Sequence, residues 1–205
     1  MLRDAKTFFD AIRGNPFNGR LKALQVRGVN QILDAWFKRF ANGGDPRHLA
    51  YILATAFHET GGRMQPVRET FAENDEAARR GVAKRAYGKA DAETGQVYYG
   101  RGLVQITWRY NYETFGKLVD RDLIHDPDLA LDPEIAVAAL IDGALAGIYT
   151  GKKLADYFNE RESDPVQARR IINRLDCASQ ISVYHFAFLE ALRLGGMAVE
   201  PAKKP

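Results

Sequence analysis

The sequence is short of cysteine and of long apolar runs. Cys177 is the one cysteine among 205 residues, so no disulfide can form within the chain. The fold therefore does not depend on an oxidising compartment, and we expect Cys177 to be a small buried residue. No window reaches the roughly 18 uninterrupted apolar residues of a membrane span. The most apolar stretch, residues 135–148, contains Asp142 and two glycines, which indicates a buried helix rather than membrane insertion.

The sequence also lacks a large excess of positive or negative charge. The chain has 29 Lys and Arg residues against 26 Asp and Glu residues, a formal net charge of +3. The basic residues are spread out with acids between them, which argues against a nucleic-acid partner and leaves a weak attraction to anionic polymers. Near the N-terminus, Arg3, Asp4 and Lys6 interrupt a short apolar stretch. We therefore expect no signal peptide, and synthesis in the cytoplasm.

Apolar residues make up 46% of the chain and charged residues 27%, the composition of an ordinary globular protein. Apolar side chains recur at the three-to-four spacing of helices along most of the sequence. We expect a mainly α fold with a minor extended element near 96–107, where glycines separate apolar and aromatic residues. The predicted helices cover about 3–13, 26–40, 46–59, 108–118, 134–148, 164–175 and 179–194.

Glu59 closes one of these helices. Asp45 is a favourable N-cap, Pro46 a favourable first residue, and Gly61 and Gly62 are natural terminators. A carboxyl group at the C-terminal end of a helix faces the negative end of the dipole, and apolar neighbours disfavour its charge further. Both effects favour a protonated side chain, as a general acid requires. A histidine and a glutamate at a helix end are more often a plain surface feature, so this pattern alone does not predict an enzyme.

A second acid, Glu69, follows ten positions later, beyond the glycine pair. It does not share a helix face with Glu59, but the intervening loop can fold it across a groove. Arg63 and Arg68 are available to keep its carboxylate ionised. Glu73 is an alternative candidate for the same role.

A second polar cluster lies between residues 98 and 111. Aromatic faces beside amide and hydroxyl groups are what a carbohydrate cleft needs, since sugar rings stack on aromatics and hydrogen-bond sideways to amides. Two carboxylates in different environments suit glycoside hydrolysis. The cluster consists of Tyr98, Tyr99, Arg101, Gln105, Thr107, Trp108, Tyr110 and Asn111.

These stretches resemble a known family. AFHETGG at 56–62 and YYGRGLVQITWRYNY at 98–112 are similar to the two signatures of the glycoside hydrolase family 19 chitinases. Other segments, among them QVRGVNQILDAW and ARRIINRLDCA, resemble the phage lysozyme, or endolysin, branch of that family. The resemblance runs from about residue 8 to 194, and the motif at 98–112 is its most specific part.

The resemblance implies a lysozyme-like helical fold with a larger and a smaller lobe around a substrate groove. A single catalytic domain is then expected over residues 1–205, with the larger lobe at about 1–61 and 98–195, the smaller lobe at about 62–97 and a loose tail at 196–205. We expect a monomer without a cofactor. No metal is expected, because HETGG is not the zinc motif H-E-x-x-H.

Carried over residue by residue, the resemblance makes Glu59 the general acid and Glu69 the general base of an inverting mechanism, with Thr107 positioning the water. The two carboxyl groups are then expected about 6.5–9.5 Å apart. Arg174 stands where a glycine usually follows the matching asparagine, so Asn173 is the less secure match. The residues implied to contact substrate are Gln105, Trp108, Tyr110, Asn111, Asn173 and one of the pair Tyr98 and Tyr99.

Several of these residues have a structural alternative. Thr107 can equally cap the helix that follows it, and Trp108 and Tyr110 can be core residues. Arg101 is expected to brace a loop or an acid rather than to touch substrate. His58 is interpreted as a structural residue near the acid.

The predicted function is that of an endolysin, a muramidase-type enzyme that hydrolyses the β-1,4 glycan of bacterial peptidoglycan. Such an enzyme is made in the host cytoplasm, reaches the wall after release through a holin pore and causes lysis. A chitinase is the alternative, since both polymers contain N-acetylglucosamine. A helical nucleic-acid-binding protein and a catalytically inert wall-binding module remain as non-enzymatic alternatives.

Overall fold

The computed structural model describes residues 1–198. Within this range the chain is mainly α-helical, as predicted, with one small antiparallel sheet. In the sheet, β1 (Val67–Arg68) pairs with β2 (Arg101–Gly102), and Val67 lies opposite Gly102. The helices are α1 (Ala5–Gly14), α2 (Ala23–Arg39), α3 (Pro46–Glu59), α4 (Asp75–Val82), α5 (Arg109–Val119), α6 (Pro133–Ala146) and α7 (Ala178–Leu194).

The chain divides into two compact units. Unit 1 comprises Met1–Met64 together with the residues from Ile141 on, and unit 2 comprises Gln65–Leu140. Unit 2 extends past the range 62–97 expected for the smaller lobe, because β1 and β2 pair and Arg101 and Asp128 form an ion pair. These contacts join the later residues of unit 2 to its beginning.

The start of the predicted loose tail is ordered. Gly196 and Met197 donate their backbone N–H groups to the carbonyl oxygens of Arg193 and Leu192, each at 3.0 Å. These bonds satisfy carbonyls that the end of α7 would otherwise leave without partners. Residues 199–205 of the predicted tail lie outside the described residues.

α3 is the central helix of unit 1. Every residue from Leu49 to Ala56 is buried, and the helix packs chiefly against α7. Its start follows the predicted capping, since Asp45 Oδ1 accepts a hydrogen bond from the Arg47 N–H at 2.8 Å. Its end also follows the prediction, because Gly61 and Gly62 take φ values of 55° and 74°, which glycine adopts without steric cost. Burial on all sides fixes α3, and with it the position of its last residue.

The segment 164–175 differs from its predicted α-helix. Asp164 Oδ1 accepts hydrogen bonds from the N–H groups of Val166 and Gln167 at 3.0 and 2.9 Å, a local turn that competes with helix formation. A short 3₁₀ helix, Gln167–Ile171, takes its place. The expected burial of Cys177 is also wrong. This residue is exposed because it forms the left-handed entry to α7, with φ 55°.

Unit 2 is organised around a buried arginine. The Arg101 side chain is 1% exposed, and its guanidinium donates to Asp128 Oδ1 at 2.7 Å and to Asp75 Oδ1 at 3.0 Å. It also donates to the Tyr112 hydroxyl at 3.0 Å and lies over the Tyr99 ring, 3.5 Å from its centroid. The structure confirms Arg101 as a brace, because its donors are used inside the unit.

The predicted extended element is confirmed at Arg101–Gly102. β2 pairs with β1, and Arg101 additionally bridges Ile106. Along residues 1–198, none of the helices is both long enough and apolar enough to cross a membrane.

Candidate active site

Glu59 is the last residue of α3, as predicted. Thr60 follows as the cap, and its backbone N–H and hydroxyl both donate to the carbonyl oxygen of Ala56, at 3.1 and 2.7 Å. The glutamate side chain is 15% exposed, so its carboxyl group is partly shielded and still open to a ligand.

Arg169 is the neighbour of Glu59 that sequence reasoning missed. Its Nη1 donates to Glu59 Oε1 at 2.7 Å, and its side chain is 3% exposed. The Arg169 Nε donates to the carbonyl oxygen of Asp176 at 3.0 Å, which fixes the guanidinium plane. Glu59 therefore has a buried cation beside it, which the sequence analysis did not predict. A charge-assisted hydrogen bond to Oε1 orients the carboxyl group.

His58 and Asn173 lie close to Glu59 and Arg169 along unit 1. Burial lowers the pKa of His58, and the neighbouring Glu59 charge opposes that shift in part, so its ring is neutral near pH 7. Asn173 is exposed, and its backbone N–H donates to the Arg169 carbonyl at 3.0 Å. We call Glu59, Arg169 and Asn173 the Glu59 cluster.

Glu69, in unit 2, is held by donors on both carboxyl oxygens. Oε1 accepts from the Tyr87 hydroxyl at 2.6 Å, and Oε2 accepts from the Gly100 N–H at 2.9 Å. The Glu69 N–H in turn donates to the Gly100 carbonyl at 2.7 Å. This arrangement suits an ionised carboxylate, which accepts hydrogen bonds only.

Tyr87 is a second residue that sequence reasoning missed. Burial, followed by its hydrogen bond to Glu69, raises the pKa of Tyr87 to about 12. The hydroxyl therefore keeps its proton and continues to donate to Glu69 at neutral pH. Its ring packs edge-to-face on Trp108, with centroids 5.3 Å apart. We call Glu69, Tyr87, Gly100 and Trp108 the Glu69 cluster.

The arginine predicted to hold Glu69 has a different partner. Arg68 Nη2 donates to Asp128 Oδ2 at 2.5 Å, so this expectation is wrong, and Tyr87 and Gly100 supply the donors instead. Arg63 belongs to unit 1 and donates to the Thr60 carbonyl at 3.3 Å. The alternative acid, Glu73, is exposed.

Thr107 does not cap α5. Its hydroxyl donates to the carbonyl oxygen of Gln105 at 2.9 Å, and Trp108 occupies the cap position with φ 73°. The cap alternative is therefore wrong, because the positive φ of Trp108 turns the chain before the first helical residue. The side-chain amides of Gln105 and Asn111 are also held, by the Val67 carbonyl at 3.2 Å and the Thr107 carbonyl at 2.7 Å.

The aromatic residues of the motif fall into two groups. Trp108 and Tyr110 are 41% and 63% exposed, so the core alternative is wrong for both, and their rings are open to a ligand. Tyr98 and Tyr99 are 4% and 0% exposed. The Tyr98 hydroxyl donates to the Ile124 carbonyl at 2.9 Å, and the Tyr99 hydroxyl donates to Asp75 at 2.8 Å. Neither buried side chain has the free surface that a sugar contact requires.

The two acids thus occupy different environments. In the Glu59 cluster one oxygen is held by a buried guanidinium, whereas in the Glu69 cluster both oxygens are held by neutral donors. Different environments are what allow two carboxyl groups to divide acid and base roles. For a metal the described residues offer no candidate, since no three His, Cys, Asp or Glu side chains among them group together.

A family model for chitinase class I, glycoside hydrolase family 19, matches residues 32–145. The chain belongs to this family. The matched range includes Glu59, Glu69 and the motif at 98–112, whereas Arg169 and Asn173 lie beyond it.

Individual relatives are plant proteins. Over 149 residues the chain is 36% identical to endochitinase A2 from Pisum sativum, an alignment that covers 63% of this chain and 46% of the relative. Over 137 residues it is 31% identical to chitinase 4 from Oryza sativa subsp. japonica, covering 64% and 46%. The chain therefore spans just under half the length of these curated relatives.

The fold is similar to that of a bacterial protein. The crystal structure of chitinase C from Streptomyces griseus HUT6037 superimposes with a TM-score of 0.59 at 22% identity, over 98% of this chain and 95% of that one. This likeness supports the mainly helical family fold.

Proposed function

We propose that this chain is a glycoside hydrolase that cleaves β-1,4-linked glycans of N-acetylated sugars with inversion. The observation that carries the proposal is the Glu59 carboxyl group, which ends the helix α3, buried from Leu49 to Ala56, and is oriented by the buried Arg169. Removing the Glu59–Arg169 ion pair from water at the C-terminal end of α3 costs free energy, so burial alone does not account for these two charges. Family membership supplies the chemistry that such an arrangement serves.

In the proposed reaction Glu59 is the general acid. Its proton passes to the leaving glycosidic oxygen as the bond to the anomeric carbon breaks. With Oε1 held by Arg169, Oε2 is the oxygen that would carry the proton.

Glu69 is the proposed general base. A water attacks the anomeric carbon from the opposite face and gives its proton to the Glu69 carboxylate. The Thr107 hydroxyl donates its own proton to Gln105, so its oxygen is available to accept a hydrogen bond from that water. The mechanism requires the two carboxyl groups to be about 6.5–9.5 Å apart in the working enzyme, which leaves room for the water. Trp108 and Tyr110, with their exposed rings, are the proposed sugar platforms.

For the substrate we propose bacterial peptidoglycan. The resemblance to the endolysin branch and the positive net charge of +3 support this choice. In this role the chain would act as a monomeric muramidase-type endolysin that reaches the wall after holin-dependent release and lyses the host. The second candidate is a chitinase, because the relatives named above are an endochitinase and a chitinase.

Purified sacculi and chitin oligomers separate the two candidates. Each is incubated with the chain and with Glu59→Gln, and new reducing ends are identified by mass spectrometry. The proposal expects cleavage of sacculi at N-acetylmuramic acid and none by the variant. New ends at N-acetylglucosamine in sacculi would refute the muramidase assignment, and cleavage of chitin alone would refute the endolysin role. Equal activity of Glu59→Gln would refute the glycosidase mechanism.

A further inference from the structure

A small pocket of unit 1 is lined by basic side chains. It is an open surface depression of about 310 Å³, where the loop after α6 meets the end of the 3₁₀ helix Gln167–Ile171 and the segment that follows it. This volume is at the lower end of the range for small-ligand sites, roughly 300–1,000 Å³. The lining of this basic pocket consists of Thr150, Lys152, Arg170, Ile172, Asn173 and Arg174.

Hydrogen bonds within unit 1 hold the two walls of the basic pocket together. The Thr150 hydroxyl lies 2.6 Å from the carbonyl oxygen of Arg170 and 3.1 Å from that of Ile171. The Arg174 N–H donates to Asn173 Oδ1 at 2.8 Å. Because its oxygen is used in this way, the Asn173 side chain presents its amide N–H groups as donors. The pocket is thus a fixed concavity rather than a chance gap between mobile chains.

Three of the lining residues carry uncompensated positive charge. Lys152, Arg170 and Arg174 form no ion pair with any carboxylate within residues 1–198, whereas Arg39 and Arg169 of the same unit are both paired. Arg170 is oriented by donating Nε to Gln167 Oε1 at 2.8 Å. Like charges around one concavity repel each other, and an anion bound there relieves the repulsion.

The basic pocket and the Glu59 cluster draw on the same segment of unit 1, residues 169–174. Arg170 follows the residue that holds Glu59, and Asn173 belongs to both sets. A ligand in the pocket is therefore bound by the same segment, residues 169–174, that supplies the partner of the acid. Its anionic group would belong to a substituent of the polymer whose glycosidic bond Glu59 protonates.

We infer that the basic pocket binds carboxylates of the stem peptides that peptidoglycan carries on its glycan. Guanidinium and ammonium groups with an amide donor form charge-assisted hydrogen bonds to a carboxylate. Chitin is uncharged and offers no such group, so the pocket favours peptidoglycan over chitin. This inference rests on the proposed function, since it specifies the substrate of the same site.

The test measures binding without turnover, in the Glu59→Gln background. The pocket variant Lys152→Gln/Arg170→Gln/Arg174→Gln is compared with Arg20→Gln/Arg27→Gln/Lys38→Gln, which removes three exposed cations of unit 1 outside the pocket. Each triple substitution removes three positive charges from the same Glu59→Gln background, so diffuse electrostatic attraction is matched. The probe is soluble glycan strands with stem peptides, freed of teichoic acid, and the readout is titration calorimetry.

We expect the pocket variant to bind the strands roughly ten-fold more weakly, as three exposed ion pairs would predict, and the matched variant to bind normally. Converting the strand carboxylates to amides should weaken binding to the unsubstituted pocket and abolish the difference. Equal losses in both triple variants, or a difference that survives amidation, would overturn the inference. So would a difference that appears only on strands that still carry teichoic acid, because the ligand would then be a phosphate.

Two controls keep the result interpretable. If a triple variant does not fold, the same comparison is made with single substitutions. Arg174→Gln then removes one charge from the pocket, and Arg27→Gln removes one charge outside it. Failure of the unsubstituted chain to hydrolyse sacculi refutes the proposed function. Carboxylate-dependent binding by the Glu59→Gln protein would still support the basic pocket, so the two failures are distinguishable.

Discussion

Arg169 Nη1 lies 2.7 Å from Glu59 Oε1, although 110 positions separate the two residues in the chain. The arginine side chain is 3% exposed and the glutamate side chain 15%. The pair therefore joins the end of α3 to the 3₁₀ helix Gln167–Ile171 inside unit 1. The arginine fixes the orientation of the Glu59 carboxyl group.

Replacing Arg169 with methionine should destabilise the fold and reduce activity. The substitution leaves Glu59 as a shielded charge without its partner, at a cost of about 3 kcal/mol. Chemical denaturation measures that cost. Arg193→Met is the matched control, since it breaks an exposed pair with Glu190 of similar length, 2.6 Å, and should cost about 1 kcal/mol or less.

The double variant Glu59→Gln/Arg169→Met adds a sharper test of the pair. It should recover part of the stability lost in Arg169→Met, because no uncompensated carboxylate remains. Purely additive losses would show that the two side chains do not interact energetically.

Tyr87→Phe should lower kcat and leave KM nearly unchanged. The variant removes the hydroxyl that donates to Glu69 at 2.6 Å but keeps the ring that packs on Trp108. A hydrogen bond to a charged group contributes about 1.5–3 kcal/mol, or roughly ten- to hundred-fold in rate if the base loses its orientation. Steady-state kinetics on soluble glycan strands gives both constants.

Tyr98→Phe is the comparison for that variant. It removes a buried hydroxyl whose hydrogen bonds go to the Ile124 carbonyl and to the Thr94 hydroxyl, each at 2.9 Å. Its effect should fall on the free energy of unfolding. A kcat loss as large as that of Tyr87→Phe would mean that Tyr87 acts through general packing and not through Glu69.

The local parts of the fold were predictable and the long-range partners were not. Asp45, Pro46 and the glycines after Glu59 are signals that act over a few residues, so the limits of α3 could be predicted. Arg169 and Tyr87 are one arginine and one tyrosine among many, and only the folded chain shows that they contact Glu59 and Glu69. Arg68 illustrates the converse, because it is adjacent to Glu69 in sequence but pairs with Asp128.

The incorrect local predictions also have physical causes. Thr107 has the side chain of a good helix cap, but its hydroxyl donates backwards to Gln105. The Asp164 side chain satisfies two backbone N–H groups in a turn, and a 3₁₀ helix replaces the expected α-helix. In both places a side-chain hydrogen bond to the backbone replaced the predicted local role, a helix cap at Thr107 and an α-helix after Asp164.

Substitution of the three acids tests their assigned roles. Glu59→Gln and Glu69→Gln should each lower kcat by roughly 10²–10⁴-fold, the usual contribution of a general acid or base. Glu73→Gln should stay within about two-fold of the unsubstituted chain, because Glu73 is exposed, whereas Glu69 is held by two donors. A severe loss in Glu73→Gln together with an active Glu69→Gln would reverse the assignment of the base.

His185 should make the fold sensitive to acid. Burial lowers the pKa of His185 to about 3, from an ordinary value of 6.5. Asp45 opposes the shift and Arg47 adds to it. Between these values the unfolded chain binds more protons than the folded one. The contribution of His185 to the free energy of unfolding therefore has its full value above about pH 6.5. It falls by about 1.4 kcal/mol per pH unit toward pH 3.

His185→Phe should reduce that slope. Neither ring nitrogen of His185 has a hydrogen-bond partner within residues 1–198, and the ring stacks on Phe158 with centroids 5.2 Å apart. An apolar ring should therefore be neutral or stabilising at pH 7. Melting temperatures from pH 7 to 4 measure the slope, with the exposed His125→Gln as the control. An unchanged slope would place the acid sensitivity elsewhere.

The stereochemistry of hydrolysis tests the central claim most directly. Proton NMR during the first minutes of the reaction distinguishes the anomers of each new reducing end before they equilibrate. Glu59 as acid and Glu69 as base on opposite faces of the sugar predict the α-anomer from a β-1,4 bond. Initial release of the β-anomer would show retention, and it would contradict the account of the two carboxyl groups given above.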